Sequence, residues 1–336
     1  MATWGGNQYA WTSPVIIGLG TAGLICWGLF AYVETRAADP ILPWSILTNR
    51  TFIVSTAVGM LAMGGMIGVM SYLPTYLQMV YGYSATASGL LLVPITIGML
   101  VSSILSGILV SRTDRYKIYP VLGPLVAAGA SFWLSRLTTT SPVWQISAAT
   151  FFMGAGIGMF FQLLVTVVQN AIEARHLGTA TSGNNFFREV GVSLGASLIG
   201  AAFSSGLTSN LTDRIGELAR SADPAVLGTL AQFKDADTSS LTPALVDQLP
   251  TVLHDAVASS YADALLPIFG WMIPLFVATS VIAVFLPEVP LSQKTAMEQI
   301  AEAEGAVDTE VSEPTAPQES DSAEESTEPA TAADAG

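Results

Sequence analysis

Charge is the first thing this sequence lacks. Asp, Glu, Lys and Arg make up 11% of its 336 residues, against about 25% in an ordinary soluble domain. Cysteine is nearly absent. Cys26 stands alone in an apolar run, which excludes an intrachain disulfide and reads as a buried thiol. The two histidines, His176 and His254, are too isolated to suggest a metal site. Neither a G-x-x-x-x-G-K-[ST] stretch nor an H-E-x-x-H stretch occurs, which removes a P-loop nucleotide site and a zincin site. No carboxylates pair in a plausible pocket, so neither an enzyme nor a cofactor is expected. No basic patch interleaved with aromatics marks a nucleic-acid surface. The opening residues, MATWGGNQYAWTSP, lack the basic region that begins a secretory signal.

What is present is apolar. Residues of hydrophobic type make up 51% of the chain, and the mean hydropathy is +0.54. Seven apolar runs stand near the roughly 20 residues that a helix needs to cross a bilayer. They cover 14–33, 52–73, 87–110, 118–135, 144–167, 190–207 and 265–286. The expected fold is therefore an all-α integral membrane protein of seven transmembrane helices, embedded in the lipid bilayer as its principal partner. Pro94, Pro124 and Pro274 lie inside these runs, where neighbouring helices can satisfy the backbone groups that a proline frees.

The net charge of −14 describes a tail rather than a surface. Residues 287–336 hold 13 acids and one base, Lys294. They contain almost no large apolar residue after Ile300 and read as a disordered acidic segment. Lys and Arg divide unevenly among the loops. Alternate loops carry 8 against 4, and three of those 4 fall in the long loop 208–264, where the positive-inside bias is weak. The bias places the N-terminus outside and the C-terminus in the cytoplasm. The expected organisation is an outer start and first span (1–34), a cytoplasmic loop (35–51), five spans (52–207), an outer loop (208–264), a last span (265–286) and the tail (287–336). Within the outer loop, Leu245, Val246, Leu249, Val252, Leu253, Val257 and Tyr261 recur at helical spacing. This predicts an amphipathic helix that lies on the membrane face or caps the bundle.

Three groups of residues stand out. The turn SRTDRYK places Arg112, Asp114, Arg115 and Lys117 within six residues, as a topological anchor or as something more. Polar side chains at or near membrane depth are Tyr72, Gln78, Gln162, Gln169, Asn170, Asn184, Asn185, Arg188 and Glu189. Such groups are costly in lipid and tend to face a bundle interior or a wet cavity, which makes Tyr72, Gln78, Gln162, Asn185, Arg188 and Glu189 candidates for a transport path or gate. Arg188 and Glu189 are adjacent on a helix and so point to different partners. No Asp or Glu lies near the middle of any span. Gly154, Gly158, Gly191 and Gly195 are spaced for close helix packing in lipid.

Five stretches taken together, WGGNQYAWTSP, PILPWSILTNRTF, YLPTYLQMVYGYSATASGLLLVP, SGILVSRTDRYK and GTATSGNNFFREVGVSLG, resemble in order and spacing the C-terminal half of the 14-span drug:proton antiporters of the major facilitator superfamily. The resemblance implies a linker span followed by a six-helix C-terminal bundle, in a plasma-membrane carrier that exports amphipathic small molecules. It also implies that proton coupling belongs mostly to an N-terminal half, supplied either by the rest of a longer carrier or by a second transporter half that pairs with this one. The alternative is a structural remnant that transports nothing. Superfamily members carry G-x-L-x-D-R-x-G-R-[RK] in the corresponding loop. Gly107, Leu109, Arg112 and Arg115 match it, while Ser111 stands in place of the Asp and Asp114 in place of the second Gly, which weakens the charge relay.

Overall fold

The computed structural model describes residues 12–37, 43–113, 115–221, 246 and 250–288. Asp114, the first residues and the acidic tail beyond Glu288 lie outside them, as do Leu245 and Leu249. The described residues form α1 (Pro14–Glu34), α2 (Trp44–Leu47), α3 (Arg50–Tyr81), α4 (Ala85–Leu90), α5 (Val93–Thr113), α6 (Ile118–Ser135), α7 (Val143–Asn170), α8 (Leu177–Ser221) and α9 (Thr251–Val284). Seven segments are long and apolar enough to span a membrane, α4 and α5 counting as one. The protein is an all-helical multi-pass membrane protein.

Local chemistry sets several boundaries. The Asn49 side chain accepts from the Thr51 and Phe52 amides and caps α3, satisfying donors that have no partner within the helix. Gly82 ends the same helix at φ 65°, the left-handed backbone that glycine adopts without a Cβ penalty. Ser84 caps α4 through the Ala87 amide. Pro267 and Pro274 sit inside α9 without ending it.

Six long helices form the bundle. α5 packs on α7, α7 on α6, α6 on α9, α9 on α3 and α8, and α3 on α8. Ser280 of α9 donates to the Val121 carbonyl of α6 at 2.8 Å. At one end, Val54, Val110, Tyr116, Leu163, Ala283 and Leu286 share a buried cluster, which gathers the start of α3 and the ends of α5, α7 and α9. This is the basic end, because the turn with Arg112, Arg115 and Lys117 lies there. At the other end, Tyr81 donates to the Thr138 and Ser141 carbonyls at 3.3 and 2.8 Å. α1 stands apart: only 6% of its most apolar window is buried. Cys26 is consequently exposed on α1, not buried as its apolar neighbours suggested.

Three helices are much longer than the sequence pattern predicts, α3 running Arg50–Tyr81 against an expected 52–73. α8 has 45 residues where a span of 190–207 was expected, about 68 Å at 1.5 Å per residue. The low hydropathy of LGTATSGNNFFRE concealed its first three turns. α9 has 34 residues, and its first part is the expected amphipathic helix, continuous with the span rather than lying flat or capping the bundle. Leu253, Val257 and Tyr261 are buried there, and Phe203 of α8 sits 4.9 Å from the Tyr261 ring. Arg214 and Asp263 close an ion pair between the two helices. Residues 208–221 and 251–264, expected to belong to a loop, therefore extend a helical hairpin.

Candidate functional site

The basic turn is held by a residue that sequence reasoning passed over. Tyr116, between Arg115 and Lys117, is 2% exposed, and its hydroxyl donates to the Pro287 carbonyl just past α9. The turn is thereby anchored to the end of the last helix while its cations stay outside. Arg112 and Arg115 are exposed and Lys117 is half-buried. None of the three has an ion-pair partner among the described residues. Arg112 lies in the last turn of α5, where a cation meets the negative end of the helix dipole. The Ser111 hydroxyl donates to the Ile108 carbonyl at 2.8 Å, so the position where the resembled motif has an acid makes only a local bond. Gly107 and Leu109 are exposed, and a Cβ on Gly107 would meet no atom within 4 Å.

The polar candidates do not converge on one point. Tyr72 is half-buried and its ring lies 4.9 Å from that of Phe203, in the half of the bundle away from the basic turn. Gln78 donates to the Pro74 carbonyl of its own helix at 3.2 Å. Nearer the basic end, Arg188 reaches across from α8 to α7, with its guanidinium 4.6 Å from the centroid of the Phe161 ring. This is cation–π range. Gln162 is exposed next to Phe161, Asn185 is half-buried and Glu189 is exposed. Arg188 and Glu189 do not pair with each other, and of the two different partners expected only that of Arg188, the Phe161 ring, is seen among the described residues. Gln169 donates to the Thr181 hydroxyl at 3.1 Å and joins α7 to α8.

The buried polar contact is made by Asn184, whose amide donates to the Thr56 hydroxyl of α3 at 2.9 Å. Both residues are buried, at 5% and 8% exposure. No pattern signals a bond between residues 128 apart. Asn184→Ala leaves the Thr56 hydroxyl unpaired and is expected to cost about 1 kcal/mol. Thermal unfolding in detergent checks this, and adding Thr56→Val should recover part of the loss. An unchanged midpoint for Asn184→Ala alone would show that the bond contributes nothing.

The glycines lie where backbones touch. A Cβ on Gly154 would strike the Ile95 carbonyl and one on Gly158 the Met99 carbonyl, both on α5. On α8, Gly191 meets the Met60 carbonyl and Gly195 the Gly64 carbonyl of α3. Gly191–Gly195 also reads GVSLG, the spacing of a nucleophile elbow. That motif needs a strand-to-helix turn, and here it lies inside a continuous helix. Beside the α3–α8 seam runs an apolar cleft of about 480 Å³, lined by Met60, Leu194, Leu198 and Trp271 among others.

Glu189 lies on α8 twelve residues beyond Leu177, about 18 Å along a straight helix.

Helices of this length, glycine seams and a turn whose cations have no ion-pair partner among the described residues suit a membrane transporter. The family model described as Major Facilitator Superfamily matches residues 1–196. The chain belongs to the major facilitator superfamily. An uncharacterized MFS-type transporter of Mycobacterium tuberculosis is 37% identical over 293 residues, 87% of this chain and 40% of the relative. The multidrug transporter protein MdtP of Bacillus subtilis is 30% identical over 309 residues, 88% of this chain and 57% of the relative. This superfamily chain thus spans about half the length of the curated relatives it matches. Among solved structures, a bacterial homolog of the human lysosomal transporter Spinster superposes with a TM-score of 0.51 at 18% identity. The match covers 72% of this chain and 50% of that one, a likeness of fold. The superfamily is one of transporters rather than enzymes.

Proposed function

We propose that these residues form one bundle of a two-bundle, plasma-membrane carrier that exports small amphipathic molecules in exchange for protons. The second bundle comes from sequence outside these 336 residues, on the same polypeptide or another. On this reading α3 and α5–α9 make the C-terminal bundle, α1 is a linker span, and the basic turn and the end of α9 lie in the cytoplasm.

The observation that carries the proposal is an uncovered face of mixed character. α5 packs extensively on α7 alone, and Leu100, Ile104, Leu105 and Leu109 are exposed on it. On α8, Ser182, Glu189 and Ser193 form an exposed polar stripe. Polar groups at membrane depth belong against protein or a wet cavity, and in carriers of this construction substrate sites lie between repeats near the midplane. Gln162, Asn185, Arg188 and Glu189 would line that space. The glycine seams would let α3 move against α8 as access alternates.

Ethidium accumulation in a bacterium stripped of its multidrug pumps tests the reading. The chain produced alone is expected to leave accumulation at the empty-vector level. Produced with the N-terminal bundle of a multidrug relative, it is expected to lower accumulation severalfold. Equal accumulation in both cases, at matched protein level, would favour a structural element that transports nothing.

A further inference from the structure

α7 and α8 face each other along a polar groove. Gln162, Thr166 and Gln169 recur on α7 at intervals of four and three residues, and Thr181, Asn185 and Arg188 recur on α8 at the same intervals. Each set therefore shares one face of its helix. Contacts join the two faces at both ends. Near the connection between the helices, the Gln169 amide donates to the Thr181 hydroxyl at 3.1 Å. About two turns further along, the Arg188 guanidinium lies 4.6 Å from the centroid of the Phe161 ring, next to Gln162. Both contacts fit one antiparallel register, and in that register Thr166 and Asn185 come opposite each other. The Thr166 hydroxyl turns back to the Gln162 carbonyl of its own helix at 3.3 Å. No hydrogen bond crosses from Thr166 to Asn185 among the described residues.

Charge along these two faces has one sign. α7 has no ionisable side chain between Val143 and Asn170, and Arg188 is the first on α8. Glu189 shares a different face with Ser182 and Ser193, and it makes no ion pair with Arg188. Arg175, in the turn between the helices, is already paired with Glu173. The Phe161 ring meets the cation through its π face, but a ring offers no lone pair to the guanidinium N–H groups. Those donors have no acceptor among the described residues, although Arg188 is half-buried. Leaving such donors unfilled is costly. Their fixed fork matches the two oxygens of a carboxylate. Gln162 and Asn185 flank it with amides that can donate or accept.

From this arrangement we infer that the α7–α8 groove binds the acidic head of an amphipathic small molecule, with the carboxylate on Arg188 and an aromatic body alongside Phe161. The site deepens the carrier reading above and rests on it for its consequence, that compounds with a carboxylate head are among those exported. Ethidium is a cation and has no use for Arg188, so the two readings are tested separately.

The test uses the full chain in nanodiscs of uncharged lipid and three photoprobes built on one benzophenone body: 4-benzoylbenzoate, 4-benzoylbenzyl alcohol and 4-benzoylbenzylamine. Each is supplied at the same concentration within the disc, and adducts are located by peptide mass. The acid is expected to label the peptides holding residues 161–169 and 181–188 about tenfold more than the alcohol or the amine. Arg188→Gln should bring the acid down to the level of the alcohol. Arg188→Lys, which keeps the charge and loses the fork, should retain about a third of the labelling. Equal labelling by the three probes on the unaltered chain overturns the inference, and that comparison needs no variant to fold. A preference for the acid that survives Arg188→Gln also overturns it, and leaves the arginine a support for Phe161. If the acid preference holds while the paired carrier fails to lower ethidium accumulation, the carrier reading falls and the acid site stands. If the preference is absent while the paired carrier lowers accumulation, the site falls and the carrier reading stands.

Discussion

Gly195→Val is expected to destabilise the bundle by about 3 kcal/mol, the upper part of the range for overfilling a close-packed contact. Its Cβ would enter the Gly64 backbone of α3, and Gly64 in turn lies 2.9 Å from the Gly191 carbonyl by the same measure. No flexible side chain is available to move aside. One helix must be pushed off the other along a seam that also holds the Asn184–Thr56 bond. Gly154→Val should behave alike, since it meets the Ile95 backbone of α5. The measurement is thermal unfolding in detergent, with a midpoint lower by roughly 10 °C. Gly107→Ala is the control: nothing lies within 4 Å of its Cβ, and replacing a mid-helix glycine is neutral or stabilising by about 0.5–1 kcal/mol. Equal midpoints for Gly195→Val and Gly107→Ala would mean that the seam is not close-packed.

These seams show what a sequence of this kind discloses and what it conceals. Hydropathy reports lipid contact, so spans bounded by loops were legible. α6 runs Ile118–Ser135 as expected, and α7, Val143–Asn170, exceeds the expected 144–167 by only a few residues. Where a helix continues through polar sequence, hydropathy fails. α8 begins in GTATSGNN because Asn184 and Thr181 have partners in α3 and α7, and those partners are distant in the chain. Glycine spacing indicated where backbones could meet but not which ones. The pairing of Gly191 with Met60 and of Gly158 with Met99 is a property of the fold. Tyr116 read as an ordinary residue among cations until its contact with Pro287 made it the support of the turn.

That support lets the cations of the turn be tested apart from its structure. Arg112 and Arg115 are exposed and have no ion-pair partner among the described residues, so Arg112→Ala with Arg115→Ala is expected to change the stability of the bundle by no more than about 0.5 kcal/mol. On the proposed reading their partners are helix ends or carboxylates of the second bundle, engaged when the cytoplasmic side is closed. Losing such a pair raises the free energy of that closed state and slows the cycle. A loss of about 1.4 kcal/mol corresponds to a tenfold change, so the double variant is expected to reduce ethidium efflux by the paired carrier about tenfold at unchanged abundance. Lys117→Ala, further from the matched motif positions, should have a smaller effect. The unfolding midpoint and the efflux rate then answer separate questions. A midpoint that falls with the rate would make the arginines part of the turn's structure. An unchanged midpoint with unchanged efflux would leave them as anchors of topology, and only the combination of an intact fold with slowed exchange assigns them to the closed state.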